Sequence, residues 1–449
     1  MAEKLSRKTK IIYGAGDLGF SLTSTIVGAY FLFFLMDVVH LKPALAGIAI
    51  LIGKTWDYVN DPLIGHISDR TRSRWGRRRP FLLFGAIPFA LAFMLMWYIP
   101  PFKSDVALVA YYAVAYVVFD AAATFVYMPY FALTPELTED YDERTSLTSY
   151  RMFFSIFGSL LAFTLPLMIV GTFTPENASR VLLMAVFFGG MSALPLWLVF
   201  FNTKERESYI SKEKPKMLPA LKAAFKNRPF VFGAIIYLLT WICMDIIQAV
   251  LLFFVKYVLR LEEQSDLVMA LIFVTGIIAL PLWEYVSRRM EKRKAYAVGV
   301  AFMAAVLMVL ITVGAGAPFW LVFVLCVLAG VGVSAAHVLP WAILPDAIEW
   351  DEYTTGERHE GVFYSLITLM QKVASSIAIP LTAVLLDVTN YVPNAAEQPA
   401  SALLGIRLLM GPIPALLLTI GIVFALKYPL DRDGYTKVVM ELEERRAKA

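Results

Sequence analysis

Twelve runs of mostly apolar residues follow one another along the chain, and they limit its fold more than any other feature of the sequence. A helix needs about 20 such residues to cross the hydrocarbon core of a bilayer. Membrane strands instead alternate apolar and polar residues, a pattern that these continuous runs lack. Only 17% of the residues are charged, against about 25% in a typical soluble protein, so the runs need lipid around them. We predict twelve membrane helices, at residues 11–37, 43–68, 80–100, 105–134, 146–171, 179–201, 229–257, 264–287, 293–314, 317–347, 360–389 and 401–426.

The basic residues between these runs indicate how the chain is oriented. They cluster in the N-terminal segment, in the links 69–79, 203–228 and 288–294, and in the C-terminal tail. The links on the other side hold few: Lys42, Lys103, Arg180, Lys256 and Arg260. Because Lys and Arg are enriched in cytoplasmic loops, we expect a multi-pass protein of the inner membrane with both termini in the cytoplasm. An odd number of helices would break this alternation of charge.

A long polar segment divides the chain into two halves. We expect a first six-helix bundle at 1–202, a cytoplasmic loop at 203–228, a second six-helix bundle at 229–427 and a cytoplasmic tail at 428–449. Each half has a basic link between its second and third helices, SDRTRSRWGRRRP in one and SRRMEKRK in the other. The predicted fold class is an all-α membrane protein with twelve transmembrane helices in two pseudo-symmetric six-helix bundles. This is the major facilitator fold, in which the solute site lies between the halves near mid-membrane.

Charged residues inside the second run indicate a cation site. Asp57 and Asp61 are four residues apart and therefore lie on one helix face, with Asn60 beside them. An ionised side chain at the bilayer centre costs at least about 2.5–3.5 kcal/mol on insertion scales, so such groups are used or paired. Two carboxylates, an amide oxygen and the hydroxyl of Thr124 can surround Na⁺, and the carboxylates can instead share a proton. The alternative is a structural pair that basic side chains neutralise, namely Lys54 or both Arg151 and Lys372.

The fourth run supplies candidate solute-binding residues. Asp120 and Thr124 are four residues apart, and Thr124, Tyr127 and Phe131 follow at spacings that place them on one stripe of a helix. The rings of Tyr127 and Phe131 can stack on the apolar face of a sugar ring, and Asp120 can accept hydrogen bonds from its hydroxyls. Packing inside the bundle is the alternative for both rings.

The eleventh run and the start of the fifth add further candidates. Tyr364, Thr368 and Lys372 are spaced by four residues and share one helix face. A lysine this deep in an apolar span cannot easily reach the membrane surface, so we expect Lys372 to face the cavity and pair with an aspartate of the second run. Arg151 is either a cavity residue or an anchor at an interface.

The arginine-rich link after the second run has two interpretations. Its Asp69 and arginines can form a cytoplasmic latch with the acidic residues Glu136, Asp140, Asp142 and Glu143. Alternatively, the arginines only fix the topology.

These motifs resemble the glycoside-pentoside-hexuronide:cation symporter family, of the melibiose-permease type. The resemblance runs along nearly the whole chain, through YGAGDLG, WDYVNDPLIGHISDRTRSRWG, LPDAIEWDEY and YSLITLMQK. It implies a cation site and a set of basic and polar cavity residues. The implied cation ligands are Asp57, Asn60, Asp61 and Thr124, and the implied cavity residues are Arg151, Thr368 and Lys372.

The chain departs from the galactoside carriers of this family at several sugar-recognition positions. Phe20 and Ser21 stand where those carriers have a Lys-Asp pair, and Tyr127 stands where they have an Asp. Phe131 and His337 each stand in place of a Trp. Two carboxylates that bind sugar hydroxyls are therefore replaced, which argues against galactoside specificity. Ser21, Tyr127, Phe131 and His337 remain candidate solute-binding residues.

The predicted function is secondary active symport of a sugar or glycoside with Na⁺, H⁺ or Li⁺ by alternating access. We expect a monomer whose partners are the solute, the coupling ion and the bilayer, with no other cofactor and no nucleic acid. One alternative is an amphipathic solute such as a lysolipid, which the less hydrophilic Phe20, Tyr127 and Phe131 favour. Another is a non-transporting membrane sensor, which would not need a lysine opposite paired aspartates. The sequence has no nucleophile–base pair, metal motif or phosphate loop, which argues against an enzyme.

Overall fold

The structure is a computed structural model, and it describes residues 5–138, 141–205, 224–356 and 360–448. In the first half the helices are α1 (Arg7–Phe33), α2 (Pro43–Arg70), α3 (Arg79–Trp97), α4 (Asp105–Ala132), α5 (Thr134–Leu137), α6 (Tyr141–Val170) and α7 (Ala178–Asn202). In the second half they are α8 (Arg228–Phe253), α9 (Ser265–Arg289), α10 (Lys292–Leu310), α11 (Phe319–Thr355), α12 (Glu360–Val388), α13 (Ala400–Met410), α14 (Pro412–Leu426) and α15 (Arg432–Lys448). The described residues contain no strand.

Eleven spans in the described part of the chain are long and apolar enough to cross a membrane. Two of them end in a π-helical turn, α1 at Phe34–Val38 and α8 at Phe254–Leu259, and α13 and α14 together make one span. The remaining predicted helix, α2, has 28 residues and is long enough. Its polar stretch at 54–61 makes it less apolar than the others. The predicted all-α membrane fold is confirmed. Helix α2 is less apolar than the other spans because it carries the candidate cation residues.

The first of two compact units contains Met1–Ser211, Leu261–Ala270 and Ile379–Ala402, and thus includes two segments from the second half of the sequence. Within it, α1 packs on α6 and α7, α2 packs on α4, and α3 packs on α4 and α7. Aromatic side chains fill its core: the Trp97 ring lies 5.6 Å from Phe31 and 5.2 Å from Phe34. Rings packed at these separations bury large apolar areas and hold the helices in register.

The second compact unit contains Lys212–Arg260, Leu271–Ala378 and Leu403–Ala449. In this unit α10 packs on α11 and α14, α8 also packs on α11 and α14, and the tail helix α15 contacts α11. A cluster that includes Phe230, Tyr237 and Phe363 is buried among these helices, with the rings of Phe230 and Phe363 4.6 Å apart.

The crossing of α2 and α4 is unusually close, and this closeness positions the candidate cation residues. A Cβ atom on Gly53 would lie 2.3 Å from Cδ1 of Tyr116, so only glycine lets the tyrosine ring pack against α2 here. Asp57 and Asp61 follow Gly53 by one and two turns, and Asp120 and Thr124 follow Tyr116 by the same intervals. The two polar rows therefore run side by side.

The arginine-rich link is tied to a buried acid. Glu136, which is 2% exposed, accepts hydrogen bonds from Arg77 at 2.6 Å and from Arg78 at 3.3 Å. Arg78 also donates to Ser68. Of the acids predicted for the latch, Glu136 thus binds two arginines.

Another predicted latch acid has a different partner. Glu143 pairs with Lys10 at 3.0 Å, because the N-terminal end of α1 lies beside α6. Asp140 and the side chains of Asp69 and Asp142 lie outside the described residues.

Candidate functional site

Four of the predicted residues meet where α2 crosses α4. The Thr124 hydroxyl donates to Oδ1 of Asp61 over 3.2 Å, and Nδ2 of Asn60 donates to the backbone carbonyl of Asp120 over 3.4 Å. Asn60 and Thr124 are buried, and Asp61 and Asp120 are half-buried. The half-buried Asp57 lies one turn before Asp61 on the same face of α2. We call Asp57, Asn60, Asp61 and Thr124 the α2–α4 polar cluster.

The α2–α4 polar cluster presents oxygen atoms of three kinds inside apolar spans. Carboxylate, amide and hydroxyl oxygens are the ligands that hard cations prefer. The described residues hold no group of three or more His, Cys, Asp and Glu side chains that is arranged to bind a metal ion. The contact between α2 and α4 brings the Asp61 carboxylate together with the Thr124 hydroxyl. In addition, Asp57 and Asp61 form a row of acids along one face of α2.

A second polar feature of the first unit is a buried ion pair between α1 and α6. Nε of Arg151 lies 3.2 Å from Oδ2 of Asp17, and the side chains are 15% and 4% exposed. The guanidinium also lies 4.5 Å from the Phe131 ring centre and 5.5 Å from that of Tyr130. Sequence reasoning singled out Arg151 but missed its partner, which is 134 residues away in the chain.

The aromatic candidates of the first unit lie against one another. The Phe20 ring is 5.0 Å from Tyr127 and 5.6 Å from Phe131. Tyr127 is 2% exposed, and its hydroxyl has no hydrogen-bond partner within the described chain. Ser21, which follows Phe20, shares a hydrogen bond of 2.7 Å with Ser155. The sequence placed Tyr127 and Phe131 on one stripe of α4 but did not predict their contact with Phe20, and the contact of these residues with a solute stays a prediction.

The candidates of the second unit lie on α11 and α12. His337 is within 3.1 Å of the Val333 carbonyl through Nδ1, and its ring centre lies 5.3 Å from that of Trp241. On α12, Thr368 is exposed, and Lys372 is half-buried one turn later. The side chain of Tyr364 lies outside the described residues. The predicted pairing of Lys372 with the aspartates stays a prediction.

In the described part of the chain the regular structure is entirely helical, with eleven apolar spans and ionisable groups within the membrane helices, an arrangement typical of membrane transporters. A profile of the family described as "MFS/sugar transport protein" matches residues 12–432. The chain therefore belongs to that family and is a symporter of the major facilitator superfamily. Membership of the superfamily was predicted correctly, and assignment to the melibiose-permease type stays a prediction.

The names of similar proteins point to more than one kind of solute, and one of them gives no solute. An uncharacterized symporter of Synechocystis sp. is 33% identical, covering 99% of this chain and 98% of its own. A sodium-dependent lysophosphatidylcholine symporter of Danio rerio is 26% identical over 95% of this chain and 86% of its own. Among solved structures, a D-xylose-proton symporter superposes with a TM-score of 0.68 at 15% identity, covering 95% of this chain and 98% of that one. The last comparison shows the fold alone.

Proposed function

We propose that this symporter couples the entry of a sugar or glycoside to Na⁺, H⁺ or Li⁺ at the α2–α4 polar cluster. The observation that carries the proposal is the hydrogen bond from Thr124 to Asp61, which joins a hydroxyl of one span to a carboxylate of another. A hydroxyl has lone pairs as well as a proton. The same group that donates to Asp61 can therefore turn an oxygen lone pair to a cation beside that carboxylate.

The coupling follows from the charge of the cluster. Asp57 and Asp61 are four residues apart, so their carboxylates repel each other when both are ionised. A bound cation or a proton removes this repulsion, and solute binding and alternating access follow. One charge that crosses 100 mV supplies about 2.3 kcal/mol, which is enough to concentrate a solute.

The proposed topology follows from the basic links. We place a monomer in the inner membrane with both termini in the cytoplasm, and divide it into bundles at 1–202 and 229–427 with the loop 203–228 and the tail 428–449. The proposed role is transport and not catalysis. We assign solute contacts to Ser21, Asp120, Tyr127, Phe131, Arg151, His337, Tyr364, Thr368 and Lys372.

Neutralising Asp61 tests the coupling. We expect NaCl, LiCl or a lower pH to stabilise the purified protein against heat, because a ligand at 100 times its Kd contributes about 2.7 kcal/mol to the folded state. Asp61→Asn abolishes that stabilisation, since the amide carries no charge for the cation to neutralise. Thermal unfolding in NaCl, LiCl and choline chloride at several pH values measures the effect.

The matched control neutralises a different carboxylate. Glu284→Gln removes the charge of a side chain that is 60% exposed and paired with Arg288 on α9, and it should respond to cations like the wild type. Solute uptake into proteoliposomes that is equal with and without a cation gradient would contradict the proposal.

A lysolipid is the second candidate solute, and two observations favour it. The Danio rerio relative is a lysophosphatidylcholine symporter, and Phe20, Tyr127 and Phe131 form an apolar group. In this group, Phe20 and Tyr127 stand where galactoside carriers of the resembled family have charged residues. Competition between 4-nitrophenyl glycosides and lysophosphatidylcholine in a binding assay separates the two. Displacement by the lysolipid alone would favour the second candidate.

A further inference from the structure

The helix α8 carries a row of residues that the proposed cation site does not use. Tyr237, Trp241 and Asp245 are each four residues apart and therefore share one face of the helix. Tyr237 is 1% exposed, and Trp241 and Asp245 are half-buried. An ionised carboxylate in the middle of a membrane helix is costly unless it is paired or bound.

The row is matched by partners on two neighbouring helices of the second unit. On α11, the Trp341 ring lies 5.2 Å from Tyr237 at 84°, and the His337 ring lies 5.3 Å from Trp241 at 70°. On α12, the amide oxygen of Gln371 accepts from the Tyr237 hydroxyl over 3.2 Å, and Ser375 donates to Asp245. We call these seven residues the aromatic–polar face.

The polar groups of this face retain hydrogen-bonding capacity. The Trp241 indole N–H is buried and makes no hydrogen bond of good geometry in the part of the chain that the structure describes, although the Tyr237 hydroxyl lies beside it. The hydroxyl of Ser334 on α11 is buried without a partner in the same part of the chain. The bond from Tyr237 uses only the Oε1 atom of Gln371 and leaves the amide hydrogens to other acceptors. Buried donors of this kind are normally satisfied by water or a ligand.

We infer that the aromatic–polar face binds the ring of a glycoside, an inference that rests on the proposed transport function. The Trp241 and His337 rings offer apolar surfaces to the C–H face of the sugar, the Trp241 N–H donates to a ring hydroxyl, and Asp245 accepts from another. Ligand sites commonly combine such aromatic walls with a few placed polar groups. An acyl chain offers no acceptor to the Trp241 N–H, and a site built to hydrogen-bond a hydroxyl rejects an analogue without one.

The test uses the full chain in lipid nanodiscs, with 4-nitrophenyl glucoside, galactoside, xyloside and glucuronide as probes, with and without NaCl. We expect at least one probe to bind the wild type. Trp241→Phe keeps a ring and loses the N–H, and it should weaken the Kd about tenfold, the effect of one good hydrogen bond. Trp241→Ala should weaken it further. Trp320→Phe is the control, because that side chain is 66% exposed on α11, and it should leave the Kd unchanged.

Three results separate the possible failures. An unchanged Kd in both Trp241 variants, or a wild type that binds lysophosphatidylcholine and none of the glycosides, would overturn the inference. A Trp241-dependent glycoside affinity with no response to any cation would leave the inference intact and reject the coupled function. Cation-dependent thermal stabilisation that persists in Trp241→Ala shows that the variant is folded, so a lost affinity there reflects the lost contacts.

Discussion

At the scale of single residues, the hydroxyl of Thr124 is the group on which cation binding depends most directly. It is 8% exposed and donates to Asp61 over 3.2 Å. Thr124→Val keeps the shape and removes the hydroxyl, which costs about 1–3 kcal/mol because the carboxylate loses a buried donor. We expect the cation affinity to fall about 5- to 150-fold, as titration of thermal stability with NaCl or protons would measure.

Two further variants sharpen this experiment. Thr124→Ser retains the oxygen and should restore most of the affinity. Thr164→Val is a matched control, because among the described residues the Thr164 hydroxyl bonds carbonyls of its own helix alone, Leu160 at 3.0 Å and Leu161 at 3.5 Å. If Thr124→Val bound the cation as tightly as Thr164→Val, the hydroxyl would not be a ligand.

At the scale of helices, α3 and α7 cap each other. The backbone N–H groups of Arg77, Arg78 and Arg79 donate to the carboxylate of Glu205 over 2.5, 2.8 and 2.9 Å. In return, the Arg79 guanidinium donates to the Phe200 carbonyl in the last turn of α7 over 3.1 and 2.6 Å. A helix start leaves N–H groups and partial positive charge unsatisfied, and a helix end leaves carbonyls. The Glu205 carboxylate therefore satisfies the free N–H groups at the start of α3, and the Arg79 side chain satisfies a free carbonyl at the end of α7.

Removal of Glu205 should loosen the start of α3. We expect Glu205→Ala to lower the free energy of unfolding by about 2 kcal/mol, since three charge-assisted bonds at a helix start are lost. Glu205→Gln keeps one acceptor oxygen and should lose less. Thermal or denaturant unfolding in one detergent measures both variants.

The second half offers a matched control for Glu205. Glu291 immediately precedes α10 but makes no side-chain capping bond. Hydrogen bonds from Lys294 and Arg293 lower the pKa of its carboxyl, and its side chain is 24% exposed. Because water screens such pairs, Glu291→Ala should unfold like the wild type. If Glu205→Ala and Glu291→Ala lowered the free energy of unfolding equally, the hydrogen bonds of Glu205 would not stabilise the start of α3.

The sequence predicts features that depend on neighbours along the chain. The lengths of the apolar runs predict the membrane spans. Residues four apart share a helix face, which places Asp57 beside Asp61 and Thr124 beside Asp120. The same logic cannot find Glu205, because it acts 126 to 128 residues from the helix start that it caps. The pairing of Asp17 with Arg151 and the ring contacts of Trp241 were missed for the same reason, since the partners lie on other helices. Such contacts depend on which helices pack together, and a single sequence carries no spacing signal for that.

At the scale of the whole molecule, Asp37 joins parts of the chain that are far apart in sequence. Its carboxylate is 0% exposed, accepts from the Tyr391 hydroxyl, and accepts from the backbone N–H of Asn394 over 3.3 Å. Asp37 belongs to the first half and the segment 391–394 to the second, yet both lie in the first compact unit. In the alternating access that we propose, the two halves rock against each other, and contacts of this kind are then expected to form and break during the cycle.

The contact can be followed through the exchange of backbone hydrogens. Asp37→Asn removes the charge that both donors bind, and Tyr391→Phe removes one donor. A hydrogen bond to a charged group is worth about 1.5–3 kcal/mol, so amide exchange in 389–399 should accelerate about tenfold to a hundredfold in each variant. Hydrogen–deuterium exchange with mass spectrometry measures it. The link 171–177, held by the bond of Asn177 to Thr172 at 2.8 Å, should exchange as in the wild type. If the exchange of 389–399 stays unchanged in both variants, Asp37 does not hold the two halves together.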